Sequence, residues 1–271
     1  MANELEIIGT GATATVYAYG DGRVLKVFKD SMPFSAIARE AENTRCAHNL
    51  GLPAPCVYEI IPWKSRIAVV MEYVAGESLL KTVIQDPAKI CAIGEKMAEM
   101  QYQLHCTEST LFTSLTEWLA ARIGWAQELT KVDKDRFLRL LDDQEPGDKV
   151  CHNDFHPDNI LRAESGDILI DWCDAAVGNP WADVARTMLI FESTSVPPGT
   201  PEDVAASINR TRGECRKAYE EKYLKLSGMA EMPIRDWRII VAASRLFCAG
   251  PGEKETDLQI VREYLGSNGN F

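Results

Sequence analysis

The chain has no CxxC pair, and none of its cysteines stands at metal-ligand spacing from another: the eight lie singly at 46, 56, 91, 106, 151, 173, 215 and 248. A disulfide framework or structural zinc is therefore not what holds the fold, and the pattern fits a reducing cytosol with most of these thiols acting as small core residues. Positive charge is also scarce. There are 29 Lys and Arg against 40 Asp and Glu, a formal net charge of −11, which argues against a general nucleic-acid or anionic-membrane binder. No apolar run approaches the ~18 residues of a membrane span, and the opening MANELEIIGTG lacks the basic stretch and apolar core of an export signal. The expectation is a soluble, cytoplasmic protein, with its oligomeric state open. No internal repeat or long linker is visible.

What is present is a globular composition, 46% hydrophobic and 25% charged over 271 residues. At this length either one large domain or two packed lobes can bury a core without staples. The first seventy residues alternate with the period of a sheet in LEII, TVYAY and VLKVF, separated by glycine-bearing segments. Helix formers follow from Phe34 to Asn49, stopped by Gly51-Leu52-Pro53. Two further strands, CVYEII and RIAVVMEY, are joined by a turn from Pro62 to Ser65. Beyond Ala75 the period lengthens to between three and four, which sets a boundary: 1–75 is expected to be a sheet lobe, 76–271 a larger and mostly helical lobe. In the second lobe Asp86-Pro87 reads as N-cap and first helical position, and Ile90, Ile93, Met97, Met100 and Leu104 form one apolar stripe. Further helical segments cover about 115–142, 180–192, 202–226, 233–248 and 254–265, while Lys149 to Trp172 is short-strand and loop material.

The segment His152-Asn153-Asp154-Phe155-His156-Pro157-Asp158-Asn159 places a carboxylate five residues before a carboxamide. A kinase catalytic loop uses that spacing, the Asp accepting or orienting the proton of an attacking hydroxyl and the Asn holding a metal. Asp171, at the end of a strand-like run twelve residues past Asn159, is a second candidate ligand. Two hard oxygen donors suit Mg²⁺. Near the N-terminus, Gly9-Thr10-Gly11-Ala12-Thr13-Ala14-Thr15-Val16 matches G-x-G-x-x-G-x-V except at Ala14, and such a loop covers nucleotide phosphates provided Ala14 needs no positive φ. Lys26, ten residues on in an apolar strand, needs a partner if buried. Glu40 and Glu42 in the following helix are available, and Glu40 is favoured for the ion pair that aims the lysine at phosphate.

Together these segments resemble the aminoglycoside phosphotransferase family, small-molecule kinases similar to protein kinases. The resemblance is carried by His152 to Leu161, by Leu169-Ile170-Asp171-Trp172 and by Gly178-Asn179-Pro180-Trp181-Ala182-Asp183-Val184-Ala185. It implies an α+β bilobal kinase fold and transfer of the γ-phosphate of ATP to a hydroxyl. It also implies nucleotide held at a hinge by backbone groups of Glu72 and Val74 behind Met71, and by Gly9, Gly11, Ala12 and Lys26. It names no acceptor.

Singly, each residue has an ordinary explanation: a turn glycine, a snorkelling lysine, an Asx turn at Asp154. Five elements in kinase order are not explained that way. His152 and His156 are expected to brace the loop, Asp183 to be a buried acceptor for it, and Cys151 and Cys173 to pack. Asp183 stands only twelve positions after Asp171, which leaves no room for the activation segment that orders a peptide, so a protein substrate is the weaker reading. Specificity is expected from helices at 77–142 and after 195. Between Asp142 and Glu192 stand twelve acidic and three basic residues, a surplus that would steer a cationic acceptor such as an aminoglycoside or another amine-bearing alcohol. Choline-like, sugar or homoserine-type acceptors remain alternatives, as does a nucleotide-binding pseudokinase.

Overall fold

The structure is a computed structural model that describes residues 5–193 and 201–267. In chain order it has β1 (Ile7–Thr10), β2 (Ala14–Gly20), β3 (Arg23–Phe28), α1 (Phe34–Asn49), β4 (Val57–Trp63), β5 (Arg66–Glu72), β6 (Gly76–Ser78), α2 (Leu79–Gln85), α3 (Ile90–His105), α4 (Leu115–Trp125) and α5 (Lys131–Asp142). There follow β7 (Lys149–Cys151), β8 (Ile160–Ala163), β9 (Gly166–Leu169), β10 (Ala176–Gly178), α6 (Pro180–Glu192), α7 (Glu202–Ser227), α8 (Arg235–Arg245) and α9 (Pro251–Ser267). Two compact units divide these elements: the residues up to Lys81 together with Asp158–Asp174, and Thr82–Pro157 together with the residues from Ala175 on.

The first unit is built on an antiparallel sheet in the order β1-β2-β3-β5-β4. Alternation along its strands sends residues to two different cores. Ala14, Phe28, Val57 and Val69 join Ile37 and Ala41 of α1 on one face, while Leu25, Val27, Ala68 and Val70 pack with Tyr17, Tyr19 and Trp63 on the other. α1 ends where Gly51 adopts φ +74°, a left-handed stop that suits glycine. The turn between β4 and β5 is shorter than Pro62 to Ser65. Pro62 and Trp63 belong to the strand, paired with Ile67 and Arg66, because β4 is an edge strand and a proline there costs no inner ladder bond. A second, three-stranded sheet runs β6-β8-β9. Residues 158–174 thus group with the first unit rather than following a cut after residue 75: β6 pairs with β8, the Leu169 amide donates to Pro53 O at 2.6 Å, and Asn43 donates to Trp172 O at 3.0 Å.

The second unit is helical apart from the short β7–β10 pair. The stripe Ile90, Ile93, Met97, Met100 and Leu104 is buried on α3 as its period predicts. α3 lies against α7 so closely that a Cβ on Gly94 would stand 2.4 Å from Cys215 O. Asp86 makes no side-chain cap: Pro87–Lys89 is a single 3₁₀ turn ahead of α3, and the Asp86 carboxylate meets Lys89 Nζ at 3.2 Å instead. The predicted segment 115–142 is two helices, because Thr130 and Asp133 form a reciprocal capping box that starts α5 afresh. Among the described residues no helix is long and apolar enough to cross a membrane. The expected specificity region after residue 195 lies outside the described residues as far as residue 200.

Candidate active site

In the first unit the sheet face that carries Phe28 and Val69 also carries Lys26, so its ammonium points toward α1 and forms an ion pair with Glu40 there. Asp171 Oδ1 lies 3.7 Å from the same ammonium. Burial alone would push the Lys26 pKa down, but the carboxylates of Asp171 and Glu40 outweigh it and hold the lysine charged. Asp171 itself sits at φ +64°, a left-handed conformation that Asp tolerates better than most residues with a side chain. The β8–β9 hairpin sets its position. Ile160 pairs with Leu169, and the next amide, Ile170 N, donates to Asn159 O at 2.9 Å, which places Asn159 and Asp171 at one end of the hairpin. Asn159 is buried, whereas the Asp171 side chain is 35% exposed.

The β1–β2 turn holds Gly9, Gly11 and Ala12. Gly11 N donates to Ala14 O at 2.9 Å, and Lys29 Nζ donates to Ala12 O at 2.7 Å. Ala14 is absent from the residues with positive φ and is buried against Phe28, so the third glycine of the motif is not missed here. A Cβ on Gly9 or Gly11 would meet nothing nearer than 3.7 Å, so the protein's own packing does not demand these glycines. Met71 and Glu72 end β5, and the Glu72 amide is taken by Cys56 O at 2.8 Å. Val74 follows the strand.

In the second unit the loop after β7 is held from one face of α6. Asn179 caps that helix by accepting from Trp181 N at 3.0 Å, with Pro180 at its first position. Asp183, Arg186 and Thr187 then fall at i, i+3 and i+4 on a single face. Asp183 accepts from the amides of His152 at 2.9 Å and Asn153 at 2.7 Å. Arg186 Nη2 donates to Asp154 Oδ1 at 3.1 Å, and Thr187 Oγ1 donates to Phe155 O at 3.3 Å. α3 supports this face in turn. Gln101 donates to Thr187 Oγ1 at 3.0 Å, and His105 Nε2 meets Asp183 Oδ2 at 3.1 Å while its Nδ1 meets Tyr223 OH at 2.6 Å. α7 supports α3 through Tyr223 and through Tyr219, whose hydroxyl donates to Gln101 at 2.5 Å.

Asp154 is the loop residue whose carboxylate is left partly in solvent, 27% exposed. Burial works against its charge, but His156 Nε2 at 3.5 Å and the Arg186 guanidinium hold it far below the usual carboxylate range. Its amide donates to His152 Nδ1 at 3.3 Å, so both histidines brace the loop. Asn153 carries φ +60°, left-handed as Asp171 is in the first unit. Burial raises the pKa of the Cys151 thiol, so it is not an activated one, and Cys173 donates weakly to Asp174 Oδ1 at 3.6 Å.

The predicted residues therefore fall into two groups. Gly9, Gly11, Ala12, Lys26, Glu40, Met71, Glu72, Val74, Asn159 and Asp171 belong to the first unit and Asp154 to the second. Arg186 and Thr187 were not singled out from sequence. The signal was available, since both follow Asp183 at helical spacing and a face that holds two loop amides will meet the rest of the loop.

This fold and loop define a kinase-like phosphotransferase. The chain belongs to the phosphotransferase enzyme family, whose sequence model matches residues 4–232, and it is a small-molecule kinase of the group anticipated above. No curated protein matches its sequence significantly. Solved structures share the fold at low identity. A thermostable mutant of aminoglycoside phosphotransferase APH(4)-Ia aligns with TM-score 0.66 at 14% identity over 99% of this chain and 95% of that chain. Amicoumacin kinase hAmiN gives 0.59 at 14% over 99% and 90%. A choline/ethanolamine kinase family protein from Mesorhizobium loti gives 0.52 at 17% over 100% and 83%.

Proposed function

We propose that the protein moves the γ-phosphoryl group of ATP to a hydroxyl of a small molecule, with residues 1–75 serving the nucleotide and 76–271 the acceptor. The acceptor oxygen forms a bond to the γ-phosphorus as the bond from phosphorus to the ADP oxygen breaks, and the hydroxyl proton passes to Asp154. The observation that carries this reading is the setting of Asp154: its carboxylate is partly exposed, contacted by Arg186 and His156, and carried on a loop whose two preceding amides are clamped by Asp183. A carboxylate held between a guanidinium and an imidazole can orient the hydroxyl and take its proton late, which agrees with a loose phosphoryl-transfer transition state. Lys26, paired with Glu40, reaches the nucleotide phosphates, and the space above Gly9 and Gly11 lets phosphates approach the backbone. Backbone groups of Glu72 and Val74 hold the base of the nucleotide behind Met71.

Asn159 and Asp171 offer a carboxamide and a carboxylate oxygen from one end of a hairpin, a hard donor pair that fits Mg²⁺. When bound there, the ion would neutralise charge on the phosphate oxygens. The APH(4)-Ia mutant was solved with AMP-PNP and hygromycin B, and hAmiN with AMP-PNP, Ca²⁺ and Ami. These support nucleotide and divalent cation here. The acidic surplus between Asp142 and Glu192 supports an amine-bearing alcohol as acceptor, an aminoglycoside among them.

The test is ADP release by the purified protein with Mg·ATP against aminoglycosides, amino alcohols, sugars and hydroxy amino acids, with Asp154→Ala as control. Acceptor-dependent ADP that is lost in the mutant is expected. Mg·ATP binding without ADP from any acceptor would instead favour the pseudokinase reading, which the ordinary backbone of Ala14 no longer supports.

A further inference from the structure

Asp171 owes its place to the turn after it as well as to the hairpin before it. The chain bends sharply at its φ of +64°, and Trp172–Asp174 then make a single 3₁₀ turn packed on α1. A left-handed residue with a side chain keeps that conformation only where its surroundings over-determine it. Here one face of α1 does so. Asn43 is buried, and its Nδ2 donates to Trp172 O at 3.0 Å. Arg39, one turn earlier, donates through Nε to Cys173 O at 3.3 Å. The Trp172 indole is fully buried and donates to Leu169 O at 2.8 Å, which ties the turn back to the end of β9. Asn43 lies at i+3 from Glu40 and i+4 from Arg39, so the same face of the helix carries the carboxylate that pairs with Lys26.

We propose that Asn43, with Arg39, is a positioning residue for Asp171: by fixing the two carbonyls that follow it, the pair sets the direction in which its carboxylate is offered to a divalent cation. The alternative partner of that carboxylate is in view. Asp171 Oδ1 stands 3.7 Å from the Lys26 ammonium, in ion-pair range but beyond a hydrogen bond. A turn released from α1 would let the carboxylate close on the lysine, and both groups would then be spent on each other, the one lost to the cation and the other to phosphate. Because Glu40 sits on the same helix face, α1 holds the two apart from both sides, with Glu40 engaging Lys26 while Asn43 and Arg39 restrain the turn that carries Asp171. Residues that orient a metal ligand in this way typically influence metal affinity 10–100-fold, roughly as much as a weak ligand does.

The inference rests on Asp171 being a cation ligand, as proposed above, and its test needs no acceptor. ATP binding to the full chain is measured by calorimetry across a series of Mg²⁺ concentrations. Wild-type affinity is expected to rise with Mg²⁺, and Asp171→Asn to lose most of that dependence; a wild type indifferent to Mg²⁺, or an unchanged Asp171→Asn, removes the ligand and the inference together. Asn43→Leu is expected to raise the Mg²⁺ concentration for half-maximal ATP affinity roughly 10-fold, with affinity in Mg²⁺-free buffer within about twofold of wild type and recovery at saturating Mg²⁺. Should Asn43→Leu fail to fold, Arg39→Met at a partly exposed position tests the other half of the clamp, with a shift in the same direction of roughly threefold for one longer hydrogen bond. Losing the Arg39 charge would by itself favour a cation, so a shift toward more Mg²⁺ reports position and not charge. Equal loss of ATP affinity with and without Mg²⁺, or no shift in either variant, overturns the positioning role and leaves Asp171 as ligand. The kinase reading is decided apart from this, by ADP release with the acceptor panel.

Discussion

In the first unit Lys26 is fixed by charge: two carboxylates, one from α1 and one just past β9, meet a single half-buried ammonium. In the second unit Asp154 is fixed by backbone, its loop hung from α6 by amide and carbonyl hydrogen bonds that α3 and α7 back up in layers. The difference has a physical sense. On the proposed reading, Lys26 follows phosphates and can be held by ion pairs that rearrange, because each pairing is only part of its stabilisation. Asp154, proposed to present one oxygen to an attacking hydroxyl, needs its main chain immobile, since small misplacement there is costly in rate.

Breaking the second arrangement at its tip should have the largest effect. Asp154→Ala is expected to lower turnover roughly 10²–10⁴-fold while Mg·ATP affinity, measured by calorimetry, stays close to wild type. Equal loss of nucleotide affinity would mean that the two groups are not separable. One layer back, Asp183→Ala leaves two buried amides and His105 without their acceptor, and should cost about 3–5 kcal/mol in urea unfolding. A stability near wild type would show that the loop is held by something other than α6.

In the first unit, Lys26→Ala should raise the KM for ATP roughly 10–100-fold, and Glu40→Gln less, with acceptor KM unaffected in both. Parallel changes in acceptor KM would erase the contrast between the units.

Arg186→Gln sharpens the comparison through pH. Arg186 and His156 hold the Asp154 pKa down, so removing the guanidinium raises it, and the acid limb of kcat/KM should move to higher pH. The stability sign follows the same shift. A depressed carboxyl stabilises the fold above its ordinary value of 3.8 and loses that contribution as pH falls below it. The gap in thermal unfolding between wild type and Asp154→Asn should therefore narrow only in acid below about that value, and an unchanged gap would contradict the pairing. The smallest effect is expected of Ala14→Gly. It should destabilise by about 1 kcal/mol through lost strand propensity and a lost buried methyl, with ATP affinity within twofold.

Much of the first unit was legible because its residues announce themselves locally. The alternation of β1 to β5 and the helix stop at Gly51 depend on short-range patterns, and of the two glutamates offered by α1 it is the favoured Glu40 that meets Lys26, while Glu42 pairs with Arg45. Thr130 was read through because a capping box inside a helical pattern looks like more helix until its reciprocal hydrogen bonds form. Arg186 was overlooked because a lone basic residue among acidic neighbours reads as solvated surface. Its role depends on which way α6 is turned, and that is set by packing against α3 and α7 rather than by its own sequence.

The sequence by itself determined the order of elements, the kinase-like spacing from Asp154 to Asn159 and on to Asp171, and the Lys–Glu pairing, since each rests on residue type and interval. Only the tertiary structure decided that Ala14 has an ordinary backbone, that residues 158–174 group with the N-terminal sheet, and that α6 turns Arg186 onto Asp154. Those depend on which side chains distant parts of the chain bring within a few ångströms. A charge count along the sequence cannot supply that, because a guanidinium acts on what it touches and not on what precedes it in the chain.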